Sequence, residues 1–112
     1  MVVAVKPKVD PDLKVYTDEG PLTRDVKKYL DTLKPQLAYR KMSNRYIPGV
    51  SDIVGCYKGK FFAIELKDDV GVESFHQKQY IAEHNAAGGI CDTARTLGEV
   101  KLILSRVNNC TP

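Results

Sequence analysis

The stretch from Gly49 to Lys67 constrains the fold of this chain more than any other part of it. Within it, two apolar runs flank the dipeptide Lys58-Gly59. A two-residue connection that ends in glycine predicts a β-hairpin, because glycine adopts positive φ angles without strain. With Lys58 and Gly59 as the loop, Tyr57 faces Lys60, and this pairing defines the register of the whole hairpin.

The predicted hairpin brings two carboxylates and one ammonium group together. In this register Asp52 lies opposite Glu65, and Lys67, two residues farther on, points to the same face as Glu65. Opposed like charges destabilise a sheet, so a cation between the carboxylates would relieve that cost. Two carboxylates with open positions suit Mg²⁺, which takes oxygen ligands and keeps several waters for substrate phosphates. A lysine beside such an ion can orient a water molecule or hold a phosphate oxygen.

The same three residues also allow an ordinary interpretation. A Glu and a Lys two residues apart are common on surface strands, where they form a solvated row. Against this stands the apolar character of both hairpin faces: Val54, Cys56, Phe61 and Ala63 on the Asp52 side, and Ile53, Tyr57, Phe62, Ile64 and Leu66 on the other. A hairpin covered on both sides requires partners for charged residues at its end, which favours the metal-site interpretation.

The composition predicts one globular domain with an uneven charge distribution. The chain has 112 residues, enough for one hydrophobic core, and 43% of them are hydrophobic and 28% charged. Its net charge is +3, but residues 21–67 hold ten Lys/Arg and only four Asp/Glu. That excess fits an anionic polymer as the partner. For Lys27, Lys28 and Lys34, the solvated face of a helix is the preferred interpretation.

The cysteines and the N-terminus predict a cytoplasmic protein, located in the bacterial host cytoplasm if a phage encodes it. Cys56, Cys91 and Cys110 have no metal-ligand spacing and cannot all pair with one another. Cys56 and Cys91 lie in apolar strand patterns, so we expect them to be reduced core thiols. The sequence has no apolar run of membrane-spanning length and no signal-peptide pattern.

Residues 1–16 are predicted to form an extended N-terminal arm, and residues 17–112 a single domain that opens with an amphipathic helix. Thr17 or Asp18 can cap the helix, or Gly20-Pro21 starts it after Glu19. Its apolar stripe consists of Leu22, Val26, Tyr29, Leu30 and Leu33. Glu19 precedes the stripe with the same spacing. It either points towards the sheet or serves as a first-turn acid that is favourable to the helix dipole.

Basic residues follow in the first predicted strand, Leu37–Met42, and in the loop that enters the hairpin. Arg40, Lys41 and Arg45 can reach a nucleic-acid backbone near the metal site. Alternatively, any of them is an ordinary surface cation.

A second helix is predicted from the cap Ser74 to about Ala87, where Gly88-Gly89 ends it. One face of this helix carries Gln77 together with Tyr80, Ile81 and His84. Gln77 is therefore either a hydrogen-bonding group at the site or a surface amide.

The chain then returns to the sheet and ends in a third helix. A fourth strand is predicted over Ile90–Arg95, and a capping box that starts at Thr96 opens the last helix. Neither His76 nor His84 is predicted to be a metal ligand, because no other histidine can join them. The predicted order of elements is α-β-β-β-α-β-α.

This order, with Asp52, Glu65 and Lys67 on the second and third strands, resembles the PD-(D/E)xK nuclease superfamily. The segments GVSD and GKFFAIELK are most similar to its VRR-NUC family, particularly the small stand-alone phage and bacterial members. The resemblance implies an α/β fold with a restriction-endonuclease-like core, α-β-β-β-α-β(-α), in which helices flank a central mixed sheet. The chain departs from the family pattern at Ser51, where relatives usually carry proline.

The resemblance also implies a role for each candidate site residue. Asp52 and Glu65 would be metal ligands, and Glu19 would be a further acid contributed to them from the first helix. Lys67 would be the catalytic lysine and Gln77 an active-site helper. The implied cofactor is Mg²⁺ or Mn²⁺.

By resemblance, the function is metal-dependent endonucleolytic hydrolysis of DNA phosphodiester bonds, which leaves a 5′-phosphate. One chain offers one active site, so cutting both strands of a duplex or junction requires a dimer or successive binding. The similar stand-alone domains imply a two-fold homodimer suited to branched DNA such as a four-way junction. The alternative is a nucleic-acid binding module with a nuclease fold and no cleavage activity. A third possibility, an interaction protein with a solvated acidic-basic strand, predicts no effect of metal.

Overall fold

The hairpin predicted from Lys58-Gly59 lies at the centre of a four-stranded sheet. A computed structural model describes residues 10–42 and 49–109 of the chain. Lys58 and Gly59 have φ angles of 50° and 84°, and positive values at both central residues are typical of a tight hairpin turn. Tyr57 pairs with Lys60 and Ile53 pairs with Ile64, so the strands have the predicted register.

The elements follow the predicted order, and the predicted fold class is confirmed. The helices are α1 (Glu19–Asp31), α2 (Phe75–Ala86) and α3 (Leu97–Ser105). The strands are β1 (Leu37–Lys41), β2 (Ile53–Tyr57), β3 (Lys60–Leu66) and β4 (Ile90–Ala94), in that order across the sheet. The pairs β1–β2 and β2–β3 are antiparallel, whereas β4 runs parallel to β3 because α2 forms the crossover between them.

The hydrophobic core lies between one face of the sheet and the helices α1 and α3. Helix α1 contributes its apolar stripe, in which Leu22, Val26 and Leu30 are fully buried. The other core side chains come from the sheet and from α3: Leu37, Ile53, Phe62, Ile64, Leu66, Ile90, Ala94, Val100, Ile103 and Leu104. Truncating one such leucine to alanine typically lowers the free energy of unfolding by about 2–5 kcal/mol, so this layer contributes strongly to the stability of the fold.

The opposite face of the sheet is covered over only part of its width, which corrects the expectation of a hairpin covered on both sides. Helix α2 packs on this face beside β4, and Ala63 and Cys91 beneath it are fully buried. Farther from Asp52, Phe61 is 39% exposed and Cys56 is an exposed thiol. The prediction that Cys56 is a core residue is therefore wrong, because no helix of the described chain covers that part of β2.

The described end of the N-terminal segment packs onto the domain. Residues Pro11–Leu13 form a short 3-10 helix against α3, and Asp12 forms an ion pair with Lys101 at 2.8 Å. Tyr16 is buried in the core and donates a hydrogen bond to Asp25 at 2.6 Å. The extended arm predicted for residues 1–16 therefore does not continue through residues 10–16, and its earlier part lies outside the described residues. In the described ranges, none of the helices is both long and apolar enough to cross a membrane.

The contact between β1 and β2 leaves no room for a side chain at Gly55. A Cβ atom there would lie 2.1 Å from the Ala38 carbonyl oxygen. We expect Gly55→Ala to lower the free energy of unfolding by about 1–3 kcal/mol, as for other overpacked sites. Gly20→Ala is the control, because its nearest atom would be 4.0 Å away and alanine favours helix. Urea denaturation distinguishes the two, and equal stability of both variants would contradict the close strand contact.

Candidate active site

Asp52 is held at the open end of the hairpin by backbone hydrogen bonds. Its carbonyl oxygen accepts a 2.7 Å hydrogen bond from the Met42 amide, and its Oδ2 accepts one of 2.7 Å from the Leu66 amide. The preceding Gly49 approaches α2 so closely that a Cβ atom would lie 2.4 Å from the His76 carbonyl oxygen. Asp52 is thereby fixed between β1, β3 and the first turn of α2.

Glu65 is a buried carboxylate with one oxygen that lacks a partner. The residue is only 3% exposed, and its Oε2 has no hydrogen-bond partner among the described residues. Burial, together with the charge of Asp52, raises the pKa of Glu65 to about 8, although the charge of Lys67 acts in the opposite direction. An orphaned oxygen beside a second carboxylate is costly unless a cation or proton occupies the site.

Gln77 holds the other oxygen of Glu65, and a capping box fixes its orientation. The backbone N–H of Gln77 donates to Ser74 Oγ at 3.1 Å, and the side-chain Oε1 of Gln77 accepts from the backbone N–H of Ser74 at 2.8 Å. Its Nε2 is then directed at Glu65 Oε1, with a donor–acceptor distance of 2.8 Å. Of the two interpretations of Gln77, the structure matches the one that places it at the carboxylates.

Lys67 completes the group from the end of β3. Its Nζ lies 3.6 Å from Glu65 Oε1, and its side chain is 14% exposed. The Lys67 amide donates to the Ala94 carbonyl oxygen at 3.1 Å, which anchors the residue to β4. Gly71 leaves room for its methylene groups, because a Cβ atom there would lie 3.2 Å from Lys67 Cδ. Asp52, Glu65, Lys67 and Gln77 thus form one cluster.

Comparison with solved structures finds the same architecture in a chain described as a VRR_NUC domain. The match has a TM-score of 0.61 and covers 83% of this chain and 97% of the other, with 18% sequence identity. The chain has the VRR_NUC fold. No sequence model of a protein family and no curated protein sequence matches it.

Other predicted site residues of this VRR_NUC fold lie outside the cluster. Glu19 is the exposed first residue of α1, directly after the cap Asp18, and does not share the burial of the apolar stripe. In residues 10–42 and 49–109, no three His, Cys, Asp or Glu side chains are grouped to hold a metal ion. The geometry of Glu19 is that of a first-turn acid, and its role in the site stays a prediction.

The basic residues predicted to bind DNA lie on two sides of the sheet. Arg40 pairs with Val54 and lines a groove with Cys56 on the partly covered face. Lys41, the last residue of β1, lies on the other side and faces α1. Arg45 lies outside the described residues.

Sequence reasoning missed the polar contacts around the loop between β3 and α2. Asp68 Oδ1 accepts hydrogen bonds from the amides of Val70 and Gly71, and its carbonyl oxygen accepts from Arg95 Nη1 at 2.6 Å. Thr93, which pairs with Glu65 across the parallel ladder, donates a hydrogen bond to Glu73. Only the Asp68-x-x-Gly71 turn pattern was readable from the sequence.

The raised pKa of Glu65 predicts how the metal-free protein responds to pH. The folded protein binds the Glu65 proton more tightly than the unfolded chain, in which Glu65 has its ordinary pKa of 4.5. The contribution of this proton to the free energy of unfolding is therefore complete below pH 4.5. It is lost as the pH rises towards 8, by up to about 1.4 kcal/mol per pH unit. We expect thermal melts in EDTA to show this loss in the wild type and not in Glu65→Gln. Identical pH profiles would contradict the burial of the charge.

Proposed function

We propose that this protein is a divalent-metal-dependent nuclease that hydrolyses DNA phosphodiester bonds. The observation that carries the proposal is the buried, unpartnered Oε2 of Glu65 beside Asp52, with Lys67 and Gln77 on the other oxygen. The fold match to a VRR_NUC domain supports it independently. A solvated acidic-basic strand would not bury a carboxylate to this extent.

Asp52 and Glu65 are the residues that would hold the metal, Mg²⁺ or Mn²⁺. Their oxygens suit hard cations, and two carboxylates are enough where water and substrate phosphate supply the remaining ligands. When bound, the metal would stabilise charge on the scissile phosphate and lower the pKa of a bound water. Asp52 is already oriented by the Leu66 amide, and Glu65 by the Gln77 side chain.

Lys67 is the group positioned to act on the reacting atoms. Its ammonium has three N–H donors and lies 3.6 Å from Glu65 Oε1, so it would orient the attacking water or offset charge on the phosphate. Gln77 orients Glu65 through the hydrogen bond from its Nε2. Its side-chain oxygen, Oε1, already accepts a hydrogen bond from the backbone N–H of Ser74. Hydrolysis would leave a 5′-phosphate on one product and a 3′-hydroxyl on the other.

The proposed active form is a cytoplasmic homodimer that acts on branched DNA, such as a four-way junction. One chain supplies one cluster of Asp52, Glu65 and Lys67, whereas resolving a junction requires two cuts. A two-fold dimer presents two such clusters in opposite orientations.

Lys67→Ala tests the function. We expect a loss of cleavage rate of about 10²–10³-fold, with DNA affinity nearly unchanged, because one positioned donor to developing charge is removed. Lys60→Ala, at the opposite end of β3, removes the same charge and should cut normally.

Cleavage of labelled junctions and linear duplexes is measured with Mg²⁺, with Mn²⁺ and with EDTA. DNA binding without cleavage by the wild type under every condition would leave the alternative, a binding module with a nuclease fold. A Lys67→Ala variant that cuts at the wild-type rate would remove Lys67 from the mechanism.

Glu19→Gln tests the acid at the start of α1. If Glu19 assists the metal site, directly or through water, the substitution should lower cleavage about tenfold or more and weaken metal affinity. Glu83→Gln, an exposed acid on α2, is the control and should leave cleavage unchanged. Normal cleavage with a stability loss of about 0.3–1 kcal/mol would show that Glu19 interacts with the helix dipole alone.

A further inference from the structure

Four cations surround one groove between α1 and the end of β1. The groove has a volume of about 390 Å³, and its cationic lining consists of Arg24, Lys27, Lys28 and Lys41. All four residues are exposed. We call this surface the α1 groove. Lys34, which the sequence grouped with Lys27 and Lys28, is instead paired with Asp31 at 3.1 Å.

The acids near the α1 groove are occupied by other partners. Asp31, which also lines the groove, accepts a 2.9 Å hydrogen bond from the Tyr39 hydroxyl in addition to its ion pair with Lys34. Asp25 accepts a hydrogen bond from the Tyr16 hydroxyl and lies 3.8 Å from Lys14 Nζ. In the part of the chain that the structure describes, none of the four groove cations forms an ion pair within 4.0 Å.

The spacing of the groove cations works against helix stability. Arg24 and Lys28 are four residues apart on α1, and Arg24 and Lys27 are three apart, so like charges are neighbours on one helix surface. The charges of Asp25 and Asp31 offset part of this repulsion, and an anion laid along the groove would offset it further. Lys27 and Lys28 are exposed, as their interpretation as a solvated helix face predicts, and with Arg24 and Lys41 they concentrate positive charge around one groove.

The α1 groove opens at the end of the sheet that carries Asp52. Lys41 is the last residue of β1, and the amide of the next residue, Met42, donates to the Asp52 carbonyl oxygen at 2.7 Å. Gly20 and Thr23, in the first turns of α1, also line the groove. Lys41 and the side chain of Asp52 point to opposite faces of the sheet, so a chain of phosphates that leaves the site would cross this end of the sheet to reach α1.

We propose that the α1 groove binds the sugar-phosphate backbone of the DNA strand next to the cleavage site. This rests on the proposed function for the identity of the polymer. Lysine and arginine contacts to phosphate position a nucleic acid without reading its sequence, and a surface of exposed cations fits that role. The groove would set how the substrate lies across Asp52 and Glu65.

The test compares two double variants that remove equal charge. Lys27→Gln/Lys28→Gln removes two of the four groove cations, and Lys58→Gln/Lys60→Gln removes two cations at the hairpin turn, at the far end of β2 and β3. Binding of each full-length protein to labelled duplex and four-way junction is measured in EDTA over a range of KCl concentrations. Thermal melts confirm that both variants are folded.

For the groove variant, we expect the slope of log affinity against log salt to become shallower by about 1.8, since each phosphate contact contributes about 0.9. Affinity at 0.1 M KCl should fall about tenfold or more, equally on both DNAs, because backbone contacts are independent of sequence. Arg24→Gln alone should make the slope shallower by about half as much. The hairpin-turn variant should match the wild type.

An unchanged slope in the groove variant, or equal effects of the two double variants, would overturn the proposal. So would a wild-type protein that binds neither DNA in EDTA at low salt. Because EDTA prevents metal-dependent cleavage, the measurement is independent of nuclease activity. A protein that binds with the expected slope but never cuts with Mg²⁺ or Mn²⁺ would support the groove and refute the nuclease function.

Discussion

Asp52 and Glu65 are held against each other by the hydrogen-bonded register of β2 and β3, although both are carboxylates. The ladder ends at the pair of Ile53 and Ile64, and the next pair of positions along it carries the two acids. The Leu66 amide fixes Asp52, and burial prevents Glu65 from turning to water. Backbone pairing and core packing therefore maintain an arrangement that electrostatics opposes, and a bound cation would offset that opposition.

Gln77 links this pair to the rest of the fold. Its backbone and side chain form both halves of the capping box with Ser74, so the start of α2 and the orientation of Glu65 depend on one residue. The crossover that makes β4 parallel to β3 is what brings α2 over the carboxylates. The start of α2 and the geometry of the site are thus coupled through the side chain of Gln77.

The charges of the chain are separated into two regions with different surroundings. The acids of the site are enclosed by β2, β3 and α2, where a low local dielectric strengthens their interaction with a cation. The cations of the α1 groove are exposed to water, where the field of a charge extends over about 8–10 Å. The proposed nuclease function would use both arrangements, because chemistry at one phosphate depends on holding its neighbours in place.

The sequence by itself determined the hairpin, its register and the amphipathic stripe of α1. A glycine turn, a two-residue strand period and a helical period are local properties of the backbone, so the opposition of Asp52 and Glu65 followed from them directly.

Only the tertiary structure decided which surfaces are covered and which distant residues meet. It left Cys56 exposed, placed Tyr16 in the core and kept Glu19 at the surface. It also joined Lys41 to the cations of α1 in one groove. These outcomes depend on how elements far apart in sequence pack against each other, and that packing is set by the sizes and positions of whole helices relative to the sheet, which no local pattern contains.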